Sequence, residues 1–424
     1  MTMSTSIMSH KHAYESYPED SVVELNPILD AEAQYGPVFR RELFNAAYAV
    51  WQSLQDHSRQ DEKSSEITVL NVYGREVQMV VPRDGEEFGL DGVRLVLTPS
   101  WGYNHLQSLG KTYGQIKTSP GESLDLPLCP YMIGARRTRP ESESSCFEMS
   151  TIKDNEGAWR QLWESSEICH RLTAFIEEHA GKTMRNVDQI VCFGLGCLTA
   201  KDRYIQHLSA RHIANIFARS QPGPTPPVFA QDPIYCTAGI SYITAPTPFN
   251  ITILDDPEGF RALTGNTFVL SFHPDVPVRQ IVMGLTHDTN GPAGMFCNSI
   301  QSEGLECDGK RSDSSGGAMV SPYHTCESSP SVWKYKQSSV FLEFETPEKD
   351  QWFGNLHEQG VEDIPVILHL DHVLIPSPAT QYKRTNYNGT LEIQAPDQPS
   401  LFRSSYLLQP PVFSHLTLIA PIVF

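Results

Sequence analysis

Between residues 188 and 283, four apolar runs each end in a short polar or glycine-bearing signature: VCFGLGC, VFAQDP, ITILDDPEGF and FVLSFHPDVP. This rhythm constrains the chain to an α/β unit, because parallel strands need long crossover connections to return to the same side of a sheet. Strands are expected at 189–193 and over VFAQ, ITIL and TFVLSF, with the amphipathic helix RYIQHLSARHIANIFARS after the first. Open parallel sheets hold ligands beyond the carboxyl ends of their strands. Gly194, Gly196, Asp232, Asp255, Asp256, Glu258 and His273 are therefore expected along one edge.

The fold class read from this pattern is α/β and Rossmann-like, a mainly parallel sheet flanked by helices, with N- and C-terminal extensions. The expected organisation is a disordered segment at 1–20, an N-terminal α/β extension at 21–185 and a core domain at 186–300. A flexible Ser/Gly-rich insertion at 301–331 and a C-terminal extension at 332–424, packed on the core, follow. Within the first extension, a helix is expected from Pro37 to about Gln55, with β-like runs at 66–72, 76–82 and 92–98. An extended loop is expected over 120–150, then one helix over WRQLWESSEICHRLTAFIEEHAG, closed by Gly181. In the C-terminal extension, order is expected to return with SSVFLEFE, followed by a helix over WFGNLHEQG and a strand over VILHL.

A chain of 424 residues with 40% hydrophobic content can bury a sizeable core. Its formal net charge of -18 argues against wholesale coating of a polyanion such as DNA. Local basic clusters remain at Arg136, Arg137 and Arg139, and at Lys201, Arg203 and Arg211. The sequence shows no secretory leader pattern and no apolar run of about 18 residues. A cytoplasmic, membrane-free protein whose nine cysteines are free thiols is the resulting expectation.

Several common templates fail. The GLG turn lacks the third glycine of a dinucleotide fingerprint, because Thr199 stands there. GLECDGK, at 304–310, resembles a phosphate loop, but Arg311 replaces the required Ser or Thr. Neither GxSxG nor HExxH is present, and His369, Asp371 and His372 lack a further ligand pair at metal-site spacing. No cofactor and no metal are expected.

DDPEGF carries more information. Three carboxylates within four residues repel one another unless a cation or solvent compensates. One reading is a helix start, with Asp256 capping, Pro257 in the first turn and Glu258 facing the helix dipole. The other is a site that binds a guanidinium or ammonium group, holds Mg²⁺ or takes a proton from an amine. Both fit a sheet's carboxyl edge. His273 is either a proton shuttle or a structural residue, and Tyr204, His207 and Arg211 share one face of the first helix.

In order, QIVCFGLGCLT, RYIQHLSARHIANIF, AQDPIY, DDPEGF and LSFHPDVPVRQI resemble the sensitivity-to-red-light-reduced-like domain over roughly 186–300. Within it, the DDxxE pattern at Asp255, Asp256 and Glu258 is similar to that of the arginine-containing cyclodipeptide synthases of filamentous fungi. That resemblance implies an enzyme using arginyl-tRNA and a second aminoacyl-tRNA to make cyclo(Arg-Xaa) diketopiperazines, without ATP or a redox cofactor, and a motif required for function. Asp255 and Asp256 would then grip the arginyl guanidinium while Glu258 acts on the amine proton, or the reverse. Gly194 and Gly196 would let backbone approach the ester or ribose, and Asp232, His273, Tyr204 and Arg211 would add substrate contacts. Contact with tRNA would depend on patches such as Arg136 to Arg139. A non-catalytic regulatory or metabolite-binding protein is the competing class.

Overall fold

The computed structural model describes residues 22–55, 64–82, 86–88, 94–116, 126–138, 149–198, 200–272, 274, 276–298, 300, 317–319, 328–344 and 364–369. The expected disorder at 1–20, the helix over WFGNLHEQG, His273 and most of the 301–331 insertion lie outside the described residues.

The chain begins with β1 (Val22–Glu24), α1 (Asn26–Tyr35), α2 (Arg41–Gln55), β2 (Ser64–Leu70), β3 (Glu76–Pro82), β4 (Glu86–Phe88), β5 (Arg94–Tyr103) and α3 (Leu106–Ile116). Next come β6 (Tyr131–Thr138), α4 (Met149–Glu164) and α5 (Glu167–His179). Two sequence expectations change here. The segment expected as loop contains β6, which pairs antiparallel with β5 and sets Tyr103 opposite Tyr131. The single helix expected up to Gly181 is α4 followed by α5, because Ser166 leaves the helical region and its hydroxyl caps α5 by accepting from the Cys169 N–H. Serine favours that N-cap position because its short side chain satisfies a backbone donor left over at the helix start.

The second half comprises β7 (Gln189–Phe193), α6 (Lys201–Ser220), β8 (Val228–Gln231), α7 (Thr237–Ile243), β9 (Ile251–Ile253), α8 (Glu258–Ala262), β10 (Thr267–Ser271) and α9 (Val278–Leu285). It continues through β11 (Gly294–Cys297), β12 (Gly317–Met319), α10 (Pro330–Gln337), β13 (Ser339–Phe344) and β14 (Ile364–His369). A seven-stranded sheet runs in the order β13-β14-β11-β10-β7-β8-β9. Five strands, β11-β10-β7-β8-β9, are mutually parallel. Both β14 pairings, with β11 and with β13, are antiparallel. The C-terminal segments therefore extend the sheet itself, and β12, from within the insertion, pairs with β1. Strand order reverses at β7, whose neighbours are β8 and β10. A crevice at the carboxyl edge is expected at such a reversal.

Alternating residues of the central strands feed two cores, as the two-residue period of a strand requires. Ile190, Cys192, Phe268, Leu270 and Phe296 pack with Leu172, Ile176, Ile213 and Phe217 of α5 and α6. Val191, Phe193, Val269, Met295 and Cys297 face the other way, into a cluster with Phe44, Trp101, Tyr131 and Val282. The N-terminal elements thus cover one face of the sheet together with α9. Arg41 ties this layer down: its Nη2 donates to the carbonyls of Leu263 (2.7 Å) and Leu285 (2.9 Å), and its Nη1 to that of Arg261 (3.4 Å).

Cys129, Cys169, Cys192, Cys197 and Cys297 are buried, reduced cysteines. Cys236 departs from the expectation of free thiols, being disulfide-bonded.

Removing the Arg41 guanidinium should strip charge-assisted hydrogen bonds from three carbonyls. Arg41→Ala is expected to lower unfolding stability by about 2 kcal/mol, read from a urea midpoint. An unchanged midpoint would show that the layer is held by apolar packing alone.

Candidate functional site at the carboxyl edge

The DDPEGF exit sits where β9 gives way to α8. The Glu258 N–H donates to the Asp255 carbonyl (2.7 Å), closing a tight turn through the cis Asp256–Pro257 bond. Pro257 occupies the N-cap position and α8 has no side-chain cap. The capping role expected for Asp256 is therefore not the one its side chain performs.

Instead, Asp256 Oδ1 accepts from the Tyr103 hydroxyl (2.6 Å) and from Gln231 Nε2 (2.9 Å). Gln231 closes the circuit by accepting the Gly259 N–H at its Oε1 (2.7 Å). A side chain at 259 would force Gln231 to move, since a Cβ there would lie 2.7 Å from that Oε1 and 3.1 Å from the Phe193 ring. Burial pushes the Asp256 carboxyl up to about 6, while the hydrogen bonds from Tyr103 and Gln231 oppose the rise. Tyr103 is itself raised well above the usual phenol range, by burial first and by Asp256 second. Phe260 packs beneath, stacked on Phe193 at 4.3 Å and edge-on to Tyr103 at 5.1 Å.

Glu258 has different company. Its Oε1 accepts from the Tyr48 hydroxyl in a short hydrogen bond. Its Oε2 meets Arg261 Nε at 3.0 Å, and Arg261 Nη1 donates to the Tyr48 oxygen at 3.0 Å. The Arg261 guanidinium also lies over the Tyr48 ring, 5.1 Å from its centroid. The Tyr48 phenol is raised, chiefly by its hydrogen bond to Glu258. Asp255 is exposed. The three carboxylates of the motif thus occupy three environments: solvent, a partly buried hydrogen-bonded niche, and a guanidinium contact.

Gly194 and Gly196, both at positive φ (71° and 70°), form the turn after β7. The Gly196 N–H donates to Asp232 Oδ2 (2.8 Å) and the Ile234 N–H to Asp232 Oδ1 (3.0 Å), so Asp232 braces that turn. Arg203 adds bonds to the carbonyls of Gly194 (3.3 Å) and Leu195 (3.4 Å). Tyr204 is fully buried between Trp159 and Phe249, with ring centroids 5.1 and 5.0 Å away. It packs α6 against its neighbours and does not line the edge. His207 is also buried; its Nδ1 lies 2.7 Å from the Arg203 carbonyl and its Nε2 2.9 Å from the Tyr235 hydroxyl, and burial lowers it to about 4. Arg211 is partly buried on the same helix.

Asp256 and Gln231 therefore meet at the end of β8 and β9, Glu258 turns to Tyr48 and Arg261, and Gly194, Gly196 and Asp232 lie at the turn that follows β7. Tyr48, Tyr103, Gln231 and Arg261 were not singled out from sequence. Gln231 lies within the VFAQDP signature and Arg261 directly follows DDPEGF, whereas Tyr48 reads as part of an ordinary helical stripe. Among the described residues no group of three or more His, Cys, Asp or Glu side chains could hold a metal ion. Of the HLDH run, His369 ends β14, while Asp371 and His372 lie outside the described residues. Arg136 and Arg137 fall in β6, and Arg139 lies outside the described residues. No helix among the described residues is long and apolar enough to cross a membrane.

Residues 169–374, just under half of the chain, match the SRR1 domain. The match begins inside α5 and ends beyond β14, so it takes in every strand of the seven-stranded sheet and is wider than the 186–300 read from sequence. Tyr48 and Tyr103 lie outside it, yet each grips one carboxylate of a motif within it. No curated protein matches the chain.

The Tyr103 hydrogen bond favours the charged form of Asp256, so Tyr103→Phe should raise the Asp256 carboxyl above about 6. Carbon-13 NMR titration of labelled aspartate reads this directly, and an unmoved resonance would contradict the geometry. The stability sign is also fixed. A raised folded-state value means that the native chain holds this proton more tightly than the unfolded chain, so this group's contribution falls as pH rises from about 4 to 6. Asp256→Asn should flatten that part of the stability profile.

Proposed function

We propose that the chain is an aminoacyl-tRNA-dependent cyclodipeptide synthase joining arginine to a second amino acid, with its site at the carboxyl edge of a Rossmann-like sheet. What carries the reading is the different treatment of two motif carboxylates: Asp256 in a niche that raises it to about 6, and Glu258 already in contact with a guanidinium. The DDxxE resemblance supplies the substrate class, and the strand order with its reversal at β7 supports the Rossmann-like description.

The chemistry needs two acyl transfers and no change of oxidation state. The α-amine of one aminoacyl ester, freed of its extra proton, attacks the carbonyl of the other. A C–N bond forms, the ester C–O bond breaks, and the ribose oxygen leaves with a proton. The dipeptidyl ester then cyclises in the same way, releasing the second tRNA. A base near the working pH suits such steps best. Asp256 fits that role, with Tyr103 and Gln231 fixing its orientation. Glu258 and Tyr48 fit the arginyl side chain, through a charge-assisted bond and a cation–π contact. Exposed Asp255 and inward-turned Asp256 have different surroundings, which disfavours a joint grip on one guanidinium. The reverse assignment is therefore preferred.

Purified protein supplied with total tRNA, synthetases, ATP, arginine and the other amino acids should yield an arginine-containing diketopiperazine by mass spectrometry. A folded protein that makes none from well-charged tRNA would leave the competing class, a non-catalytic metabolite-binding protein. Glu258→Gln should abolish product while leaving the melting temperature close to that of the parent. A matching loss of fold would assign Glu258 to structure instead.

A further inference from the structure

The contacts around Arg261 have a second use. Glu258 Oε2 receives its Nε at 3.0 Å, the Tyr48 oxygen receives its Nη1 at 3.0 Å, and the Tyr48 ring lies 5.1 Å from its guanidinium carbon. A carboxylate, a phenol oxygen and a π face together make a set that suits a planar, delocalised cation better than a compact ammonium. We propose that Arg261 is an internal placeholder in a guanidinium site built by Glu258 and Tyr48, and that an incoming guanidinium takes its place. The proposal rests on the reading of this edge as one that handles arginine.

The backbone makes such an exchange feasible without unfolding α8. The Arg261 N–H is bonded to the Pro257 carbonyl (3.1 Å), and its own carbonyl accepts from Arg41. Gly259 is fixed by Gln231, and Leu263 by Arg41. None of these bonds uses the Arg261 side chain, which is 53% exposed. Rotating it outward breaks only its contacts with Glu258 and Tyr48. Tyr48 stays in place because α2 is anchored by buried Leu43, Phe44 and Ala47, with Phe44 stacked on the Tyr48 ring at 6.0 Å. Glu258 retains its hydrogen bond from Tyr48. The site persists when its occupant leaves.

Exposed ion pairs are weak, so Arg261 blocks the site only partially. An internal occupant lowers apparent affinity in proportion to the fraction of sites it fills. A placeholder and an ordinary helix-surface pair then differ in one measurable respect. Only the first competes with an outside ligand.

The test measures binding of L-arginine methyl ester to the full chain by calorimetry or NMR titration, with L-lysine methyl ester as the comparison. Arg261→Ala and Arg261→Gln should both bind the arginine ester about two- to fivefold more tightly than the parent, with no such gain for the lysine ester. Adding Glu258→Gln or Tyr48→Phe to either variant should remove the gain. The proposal is overturned if folded Arg261 variants bind no better than the parent, if the lysine ester gains equally, or if the gain survives Glu258→Gln. Should Arg261→Ala lose its fold, Arg261→Gln, which keeps side-chain length and helix propensity, carries the same comparison. Product formation is a separate readout: a parent that makes diketopiperazine while these variants show no gain refutes the placeholder alone.

Discussion

The structure depends on one requirement of the central sheet, that the face bearing Val191, Phe193, Val269 and Met295 be kept from water. Removing such side chains from solvent is worth roughly 1.5–3 kcal/mol each, and α8 and α9 supply only part of the cover. The chain completes it with α2, β5 and β6, through Phe44, Trp101 and Tyr131. Once these elements lie on the sheet, the hydroxyls of Tyr48 and Tyr103 reach the carboxyl edge as a consequence of packing. The packing that covers the sheet also positions the site. Two carboxylates within the span that matches the SRR1 domain, Asp256 and Glu258, thus take one hydrogen-bond partner each from outside it.

Much of the sheet was legible because its signal is local. Each strand from β7 to β10 is an apolar run closed by a turn signature, and runs of that kind announce themselves within a few residues. The reversal of strand order was not legible, since it is decided by which crossover packs on which face. The break between α4 and α5 was carried by two serines within a continuous apolar stripe, and the stripe dominated the reading. β6 was missed because Pro, Ser, Glu and Arg around it signal loop, while its pairing with β5 is a long-range fact.

The site divides in the same way. Asp256 and Glu258 stood out as a dense acidic cluster at a strand exit. Their partners did not, because hydrogen bonds spanning 153 and 210 residues leave no trace in local spacing. Tyr204 shows the opposite error. Shared helical position with His207 and Arg211 suggested a functional face, but that part of α6 is buried against Trp159 and Phe249. On a helix covered from several sides, periodicity identifies neighbours without saying whether they meet solvent or core.

At one end of the sheet stands β9, three residues long, with no further strand beyond it among the described residues. Edge strands expose unpaired backbone groups that can recruit another chain, and shortness is one defence. Here the Leu254 N–H still bonds the Ala230 carbonyl (2.8 Å) and the chain then enters the DDPE turn, so a fifth pairing residue would displace the motif. Solubility and chemistry make the same demand on this stretch. An insertion that lengthened β9 would offer a stickier border and, by the same stroke, dismantle the corner where Asp256 and Glu258 diverge.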